Sequence, residues 1–260
     1  MTTKNLSSYT PDEFREGQAA IIKQLTLPLE VHPCKNPQAV LLGGQSGTGK
    51  TNLHAVFYEA FDKNVIVING DEYRSRHPRY HQIDEAYGID AAQHTATWAG
   101  NMTEALIDEF SRVGHNLIVE GTLHTAEVPL KTATLLRSRG YRVSLALMAV
   151  KPEISLVSCQ IRYELMRIAG TIPRAVDPKH NDRIVRDIVS NLSALEQSGL
   201  FDEVRLFSRT RECLYPRAEE DRTACQALQE ILFGSWTSEE TDHYARLQDQ
   251  LARLKDGEAT

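Results

Sequence analysis

The sequence predicts an α/β fold of three layers, with a mainly parallel sheet and helices on both faces. Two observations carry that expectation. Short apolar runs of the kind that form buried parallel strands recur along the chain with helical stretches between them. One of these runs passes through a glycine-rich turn straight into a helix, Leu41-Leu42-Gly43-Gly44-Gln45-Ser46-Gly47-Thr48-Gly49-Lys50-Thr51.

Taken in order, Ser8 to Leu25 has helical spacing, and its Phe14, Ile21, Ile22 and Leu25 form a face suited to packing on the domain. Ala39 to Leu42, just after Pro37, is the first expected strand, and Lys50 to Phe61 the helix that follows it. Asn64 to Ile68 is the second strand, Thr95 to Val113 a helix, and Asn116 to Val119 the third strand. Pro129 to Arg139 reads as a helix closed by Gly140 behind a basic last turn, and Val143 to Val150 as the fourth strand. Pro152 opens a helix running to Ile168, where its fixed φ suits the first turn. Asp182 to Ser198 is a further helix and Val204 to Phe207 the fifth strand. Thr237 to Lys255 is charged and helical in pattern, with Leu247, Leu251 and Leu254 as a thin apolar stripe for packing on the domain surface. Asp256 to Thr260 is expected to fray. The chain therefore divides into a domain over 1–236 and a C-terminal helical extension over 237–260.

A chain of 260 residues with 41% hydrophobic residues can bury a full core, which argues against a disordered or repeat protein. Its net charge of -6 lacks the basic field that supplies nonspecific affinity for nucleic acid, so no nucleic-acid partner is expected. Cys34, Cys159, Cys213 and Cys225 show neither CxxC pairing nor zinc-finger spacing to histidine, and read as ordinary intracellular thiols. No leader-like apolar core follows Met1, and no run of about 18 apolar residues occurs. A soluble, cytoplasmic protein with no membrane partner is the expectation.

Gly44 to Thr51 meets every fixed position of GxxxxGK[ST], the phosphate-binding P-loop, a match that a random chain of this length makes about one time in a hundred. Its glycines let backbone N–H groups turn inward around phosphate oxygens, and the next helix presents its positive end. Gly44, Gln45, Ser46, Gly47, Thr48, Gly49, Lys50 and Thr51 are thus the nucleotide-binding candidates, with Lys50 on the β- and γ-phosphates and the Thr51 hydroxyl on Mg²⁺.

A P-loop alone separates no kinase from a GTPase or a motor, since all cradle phosphates alike. Asp71 emerges directly beyond the second strand, where ligands of open α/β sheets bind. A carboxylate there can take the proton of an attacking hydroxyl, or it can cap the next helix. Glu120 repeats the pattern at the end of the third strand, and two tasks fit it, a strand-terminal acid near the metal or a partner for a substrate hydroxyl. No guanine-specifying NKxD sequence occurs, which demotes a GTPase switch. Arg162, on the helix after the fourth strand, and Arg174, in a Pro-rich and charged segment suited to a lid over about 169–181, can offset charge on a transferring phosphoryl group. Two classes of function remain open on these residues: a kinase for the hydroxyl of a small molecule, such as a nucleoside or antibiotic, and a nucleotide-dependent binding module.

The strings LLGGQSGTGKT, VIVINGDEYRSRHP and NLIVEGTLHTAEVPLKTATLLRSRGY, followed by IRYE and PRAVDPKH, together resemble the zeta toxin family, including its PezT-type members. The likeness runs in order from about Tyr9 to Trp236. It implies a P-loop NTPase fold and an ATP- and Mg²⁺-dependent kinase acting on the 3′-hydroxyl of the amino sugar in UDP-N-acetylglucosamine. A toxin effect on cell-wall precursor supply and restraint by an antitoxin of the epsilon or PezA kind come with it. Carried onto this sequence, the resemblance makes Lys50 and Thr51 the ATP and Mg²⁺ residues, Asp71 the base, and Arg162 and Arg174 the phosphate-stabilising arginines. Glu104, Glu120, Thr122 and Thr132, with Arg74, fall where the family binds the UDP-sugar. Two departures lie beside that site: Glu72-Tyr73 stands where Ser/Thr-Phe is common, and His124 replaces a frequent arginine.

Overall fold

A computed structural model describes residues 5–27, 30–171, 176, 178–216 and 221–256. Six strands form one sheet: β1 (Gln38–Gly43), β2 (Ile66–Asn69), β3 (Leu117–Glu120), β4 (Arg142–Met148), β5 (Glu203–Phe207) and β6 (Cys213–Tyr215). Their order is β2-β3-β1-β4-β5-β6, all parallel except β6, which turns back antiparallel on β5. The chain leaves β1 for β2 and β3 on one side and later crosses to β4 on the other. That reversal places a crevice beyond the carboxyl end of β1.

Alternation along the strands feeds two cores. Ala39 and Leu41 of β1, with Val143, Leu145 and Leu147 of β4, face one layer, while Val40, Leu42, Ala146 and Met148 face the other. The first layer holds α1 (Pro11–Thr26), α6 (Ala96–Val113), α7 (Glu127–Ser138), α9 (Pro178–Gln197) and α10 (Ala224–Phe233). The second holds α2 (Thr51–Ala60) and α8 (Pro152–Ile168). The three-layer α/β arrangement expected from the sequence is therefore present, because both faces of each central strand are apolar and each needs a cover.

α1 starts at a capping box in which Thr10 and Glu13 satisfy each other's backbone N–H groups. Ile21 enters the core, and Phe14 packs on Trp98 of α6 with ring centroids 5.5 Å apart. Three short helices connect β2 to α6: α3 (Gly70–Tyr73), α4 (Tyr80–Tyr87) and α5 (Ala91–His94). The remaining helix, α11 (Ser238–Lys255), lies along α8, with Leu251 and Leu254 buried against Val157 and Ile161. Among the described residues no helix is long and apolar enough to cross a membrane.

Candidate active site

The loop between β1 and α2 is shaped by positive φ angles that its glycines accept. At Gly47 (φ +81°) there is no room for anything else: a Cβ would lie 2.1 Å from the Ser155 carbonyl oxygen and 2.6 Å from Cys159 Sγ of α8. Gln45 is fully buried and its Nε2 donates to the Val150 carbonyl at 2.8 Å, tying the loop to the β4–α8 connection. Thr48 Oγ1 donates to the Gln45 carbonyl at 3.0 Å. Lys50 Nζ donates to the carbonyls of Gly44 (2.9 Å) and Gln45 (3.2 Å), so the loop curls around its own ammonium group. Burial lowers the pKa of Lys50, opposed by the Glu120 and Asp71 carboxylates. Thr51 opens α2 with its side chain at the helix N-terminus. A rigid cradle of backbone amides with a lysine and a hydroxyl at its rim fits a Mg²⁺–nucleotide phosphate chain. Beneath it, burial raises the pKa of the Cys159 thiol, in keeping with an ordinary, unreactive cysteine.

Beside the loop the strand ends line up. The register sets Leu42, Glu120 and Asn69 level across β1, β3 and β2. A cleft of about 540 Å³ opens beyond them, walled by α6 and α7. Lys50, Asp71, Arg74, Glu104, Glu120, Thr122 and Thr132 all line it, so seven residues nominated from sequence meet in one place.

The helix cap after β2 is Asn69, whose side-chain oxygen accepts from the Asp71 N–H at 3.2 Å. The capping role open to Asp71 in the sequence thus belongs to its neighbour. Asp71 Oδ1 instead accepts from Arg74 Nε at 2.8 Å, and Arg74 Nη1 donates to the Ala92 carbonyl at 2.6 Å. The guanidinium bridges α3 to α5 and fixes where the carboxylate sits. Glu104 on α6 pairs with Lys131 of α7 at 2.9 Å. Of the two departures noted in the sequence, His124 lines the cleft, whereas the Tyr73 ring is buried in the core and Glu72 accepts from Asn69 Nδ2 at 3.2 Å.

Arg162 stands apart from this cleft. It lines a groove of about 390 Å³ between α8, α11 and the β5–β6 turn, with Ser158, Arg209 and Gln250. It still depresses the pKa of Lys50 through space, though less than burial does. Arg174, with most of the central lid segment, lies outside the described residues.

Three side chains that the sequence reading passed over matter here. Asn69 carried a legible signal, an Asn at a strand-to-helix junction. His54, four residues beyond Lys50 on α2, meets Glu120 with Nε2 and Oε2 2.8 Å apart. Asn191 of α9 donates to the carbonyls of Leu123 (2.9 Å) and His124 (3.0 Å), pinning a loop in which Leu123 holds a positive φ of 57°. Nothing in the local sequence at Asn191 announces that contact.

The profile of the zeta toxin family matches residues 25–220. Toxin PezT of Streptococcus pneumoniae is 41% identical over 238 residues, spanning 91% of this chain and 93% of that protein. Toxin zeta of Streptococcus pyogenes is 37% identical over 186 residues, 71% of this chain and 65% of the relative. A solved structure described as the PezAT chromosomal toxin–antitoxin system of S. pneumoniae superposes with a TM-score of 0.87 at 38% identity, covering 96% of this chain and 99% of that one.

Proposed function

Because the chain belongs to the zeta toxin family, we propose that it is an ATP-dependent kinase for the 3′-hydroxyl of the amino sugar in UDP-N-acetylglucosamine or a related UDP-sugar. In this reading it acts as the toxin of a toxin–antitoxin pair, restrained by a protein of the epsilon or PezA kind, as its relative's description implies. The observation that carries the reading is the shared cleft: Lys50, from the donor loop, and Asp71, at a neighbouring strand end, line the same cavity with Glu120 between their strands.

Bound ATP supplies the phosphoryl group, and Mg²⁺ offsets the charge that spreads over it during transfer. Lys50 and the loop amides would hold the β- and γ-phosphates, and the Thr51 hydroxyl would be the protein's ligand to the metal. Asp71 accepts the proton of the attacking sugar hydroxyl, which is far too weakly acidic to ionise unaided. Arg74 aims that carboxylate, and Glu104, Glu120, Thr122 and Thr132 offer the hydrogen-bonding groups a polar sugar needs. The family resemblance gives Arg162 and Arg174 the task of offsetting charge on the transferring phosphoryl group. His124 sits in the cleft where the family often carries arginine, which supports a somewhat broader range of UDP-sugars.

The test is Asp71→Asn in steady-state assays of phosphate transfer. Turnover should fall by about 10²–10⁴-fold while ATP affinity, followed by calorimetry, stays nearly unchanged. Turnover close to that of the wild type would remove Asp71 from the role of base.

A further inference from the structure

We propose that His54 is a positioning residue of the acceptor site, holding the Glu120 carboxylate in the orientation that receives the acceptor's hydroxyl. This rests on the kinase reading above, since it gives Glu120 its ligand. His54 comes from the first turns of α2, the helix that begins at Thr51, and Glu120 ends β3, so the contact crosses from the donor element to the acceptor cleft.

Both side chains are mostly enclosed, at 18% and 12% exposure. His54 Nε2 and Glu120 Oε2 are shielded from solvent, and neither has another polar partner of hydrogen-bond geometry among the described residues. Their 2.8 Å approach is at ion-pair distance but misaligned for a well-formed hydrogen bond. An imidazole can donate from Nε2 and a carboxylate oxygen accepts, so the two groups are chemically complementary at that separation. Burying either group without the other would leave an unpaired polar atom in a low-dielectric setting.

The consequence is directional. Glu120 lines the cleft with Lys50 and Asp71, yet its Oε2 is turned away onto His54, which leaves Oε1 as the oxygen for a ligand. A glutamate side chain has three rotatable bonds, and holding it before the acceptor arrives removes an ordering cost from binding. Because α2 begins at Thr51, directly after the loop that meets the nucleotide phosphates, the same contact ties the aim of Glu120 to the donor helix. The ligand class is a polar, hydroxyl-bearing acceptor that donates to Glu120.

The experiment uses the full chain with His54→Leu, His54→Gln, Glu120→Gln and the His54→Leu/Glu120→Gln double variant. Phosphate transfer to UDP-N-acetylglucosamine is read as kcat, acceptor KM and ATP KM, with thermal unfolding as a fold control. His54→Leu should lower kcat/KM for the acceptor by about 10–100-fold, the range set by one hydrogen bond to a charged group. The ATP KM should stay within about twofold. His54→Gln, whose amide nitrogen reaches as far as imidazole Nε2, should recover most of that loss. The double variant should be no worse than Glu120→Gln alone, because both remove one contact. Wild-type kinetics in His54→Leu, or additive losses in the double variant, would overturn the proposal. Imidazole NMR of His54 separates this outcome from failure of the kinase reading. If the wild type phosphorylates no UDP-sugar, that reading falls, and the contact is judged by whether Glu120→Gln shifts the His54 ring resonances: a shift supports it and unmoved resonances overturn it.

Discussion

At Gly47 one methyl group is enough to separate a phosphate cradle from a clash. Its Cβ would fall 2.1 Å from a backbone oxygen of α8, and backbone cannot swing aside as a flexible side chain can. Gly47→Ala is therefore expected to abolish ATP binding in calorimetry and to cost about 1–3 kcal/mol in urea unfolding. If Arg162 acts on charge that develops in transfer, as proposed, Arg162→Ala should leave the fold intact and lower turnover by about 10²-fold, more than it weakens ATP binding. A pure loss of ATP affinity would instead make Arg162 a ground-state contact. Glu13 supplies a pH test. The Arg79 guanidinium and the Thr10 N–H hold its carboxyl down to about 2 from an ordinary 4.5. A depressed folded pKa stabilises above the unfolded value and is lost as pH falls. Glu13→Gln should then melt below the wild type at neutral pH, with the difference closing between pH 4.5 and about 2 in circular dichroism melts. At this scale the sequence made Lys50, Asp71 and Glu120 visible, since each stands at a fixed offset from a strand end. It hid His54 and Asn191, whose partners lie 66 residues away at Glu120 and 67 and 68 away at His124 and Leu123, because such contacts exist only once the strands and helices have packed.

Elements were legible where an apolar run or a helical stripe was long. The five parallel strands lie where the runs predicted them, with ends displaced by one or two residues, as at β2, which starts at Ile66 rather than Asn64 and ends at Asn69. β6 is three residues long and half exposed, too short for any alternation to register. α3 and α5, four residues each, and the eight-residue α4 were likewise invisible, being too short to hold without tertiary neighbours. α10 was missed although Ala224, Ala227, Leu228 and Leu232 keep helical spacing and Thr223 with Gln226 forms a capping box. The α11 stripe was read correctly as a packing face, and its energy can be measured. Leu254→Ala, removing a nearly buried side chain from the α8 contact, should destabilise the protein by about 2–3 kcal/mol in urea unfolding. A change below about 0.5 kcal/mol would mean that α11 is only loosely docked.

Over the whole molecule, the strand order sets the chemistry. The chain reverses direction across the sheet at β1, so the donor loop after β1 and the carboxylates after β2 and β3 open on the same side. Both faces of the sheet are covered, which keeps those strand ends level and the cleft between them preformed. An acidic chain of net charge -6 gains no nonspecific hold on a dianionic nucleotide, so binding depends on the local cradle of amides and Lys50. The central claim is that this cleft joins a triphosphate to a sugar hydroxyl. Its most direct test is incubation of the protein with ATP, Mg²⁺ and UDP-N-acetylglucosamine, followed by mass spectrometry and NMR of the product. The account predicts a UDP-sugar carrying one added phosphate on the 3′-oxygen of the amino sugar, formed with matching release of ADP and absent in Asp71→Asn. An unmodified UDP-N-acetylglucosamine, alongside a nucleoside or other hydroxyl compound that does gain phosphate under the same conditions, would contradict it.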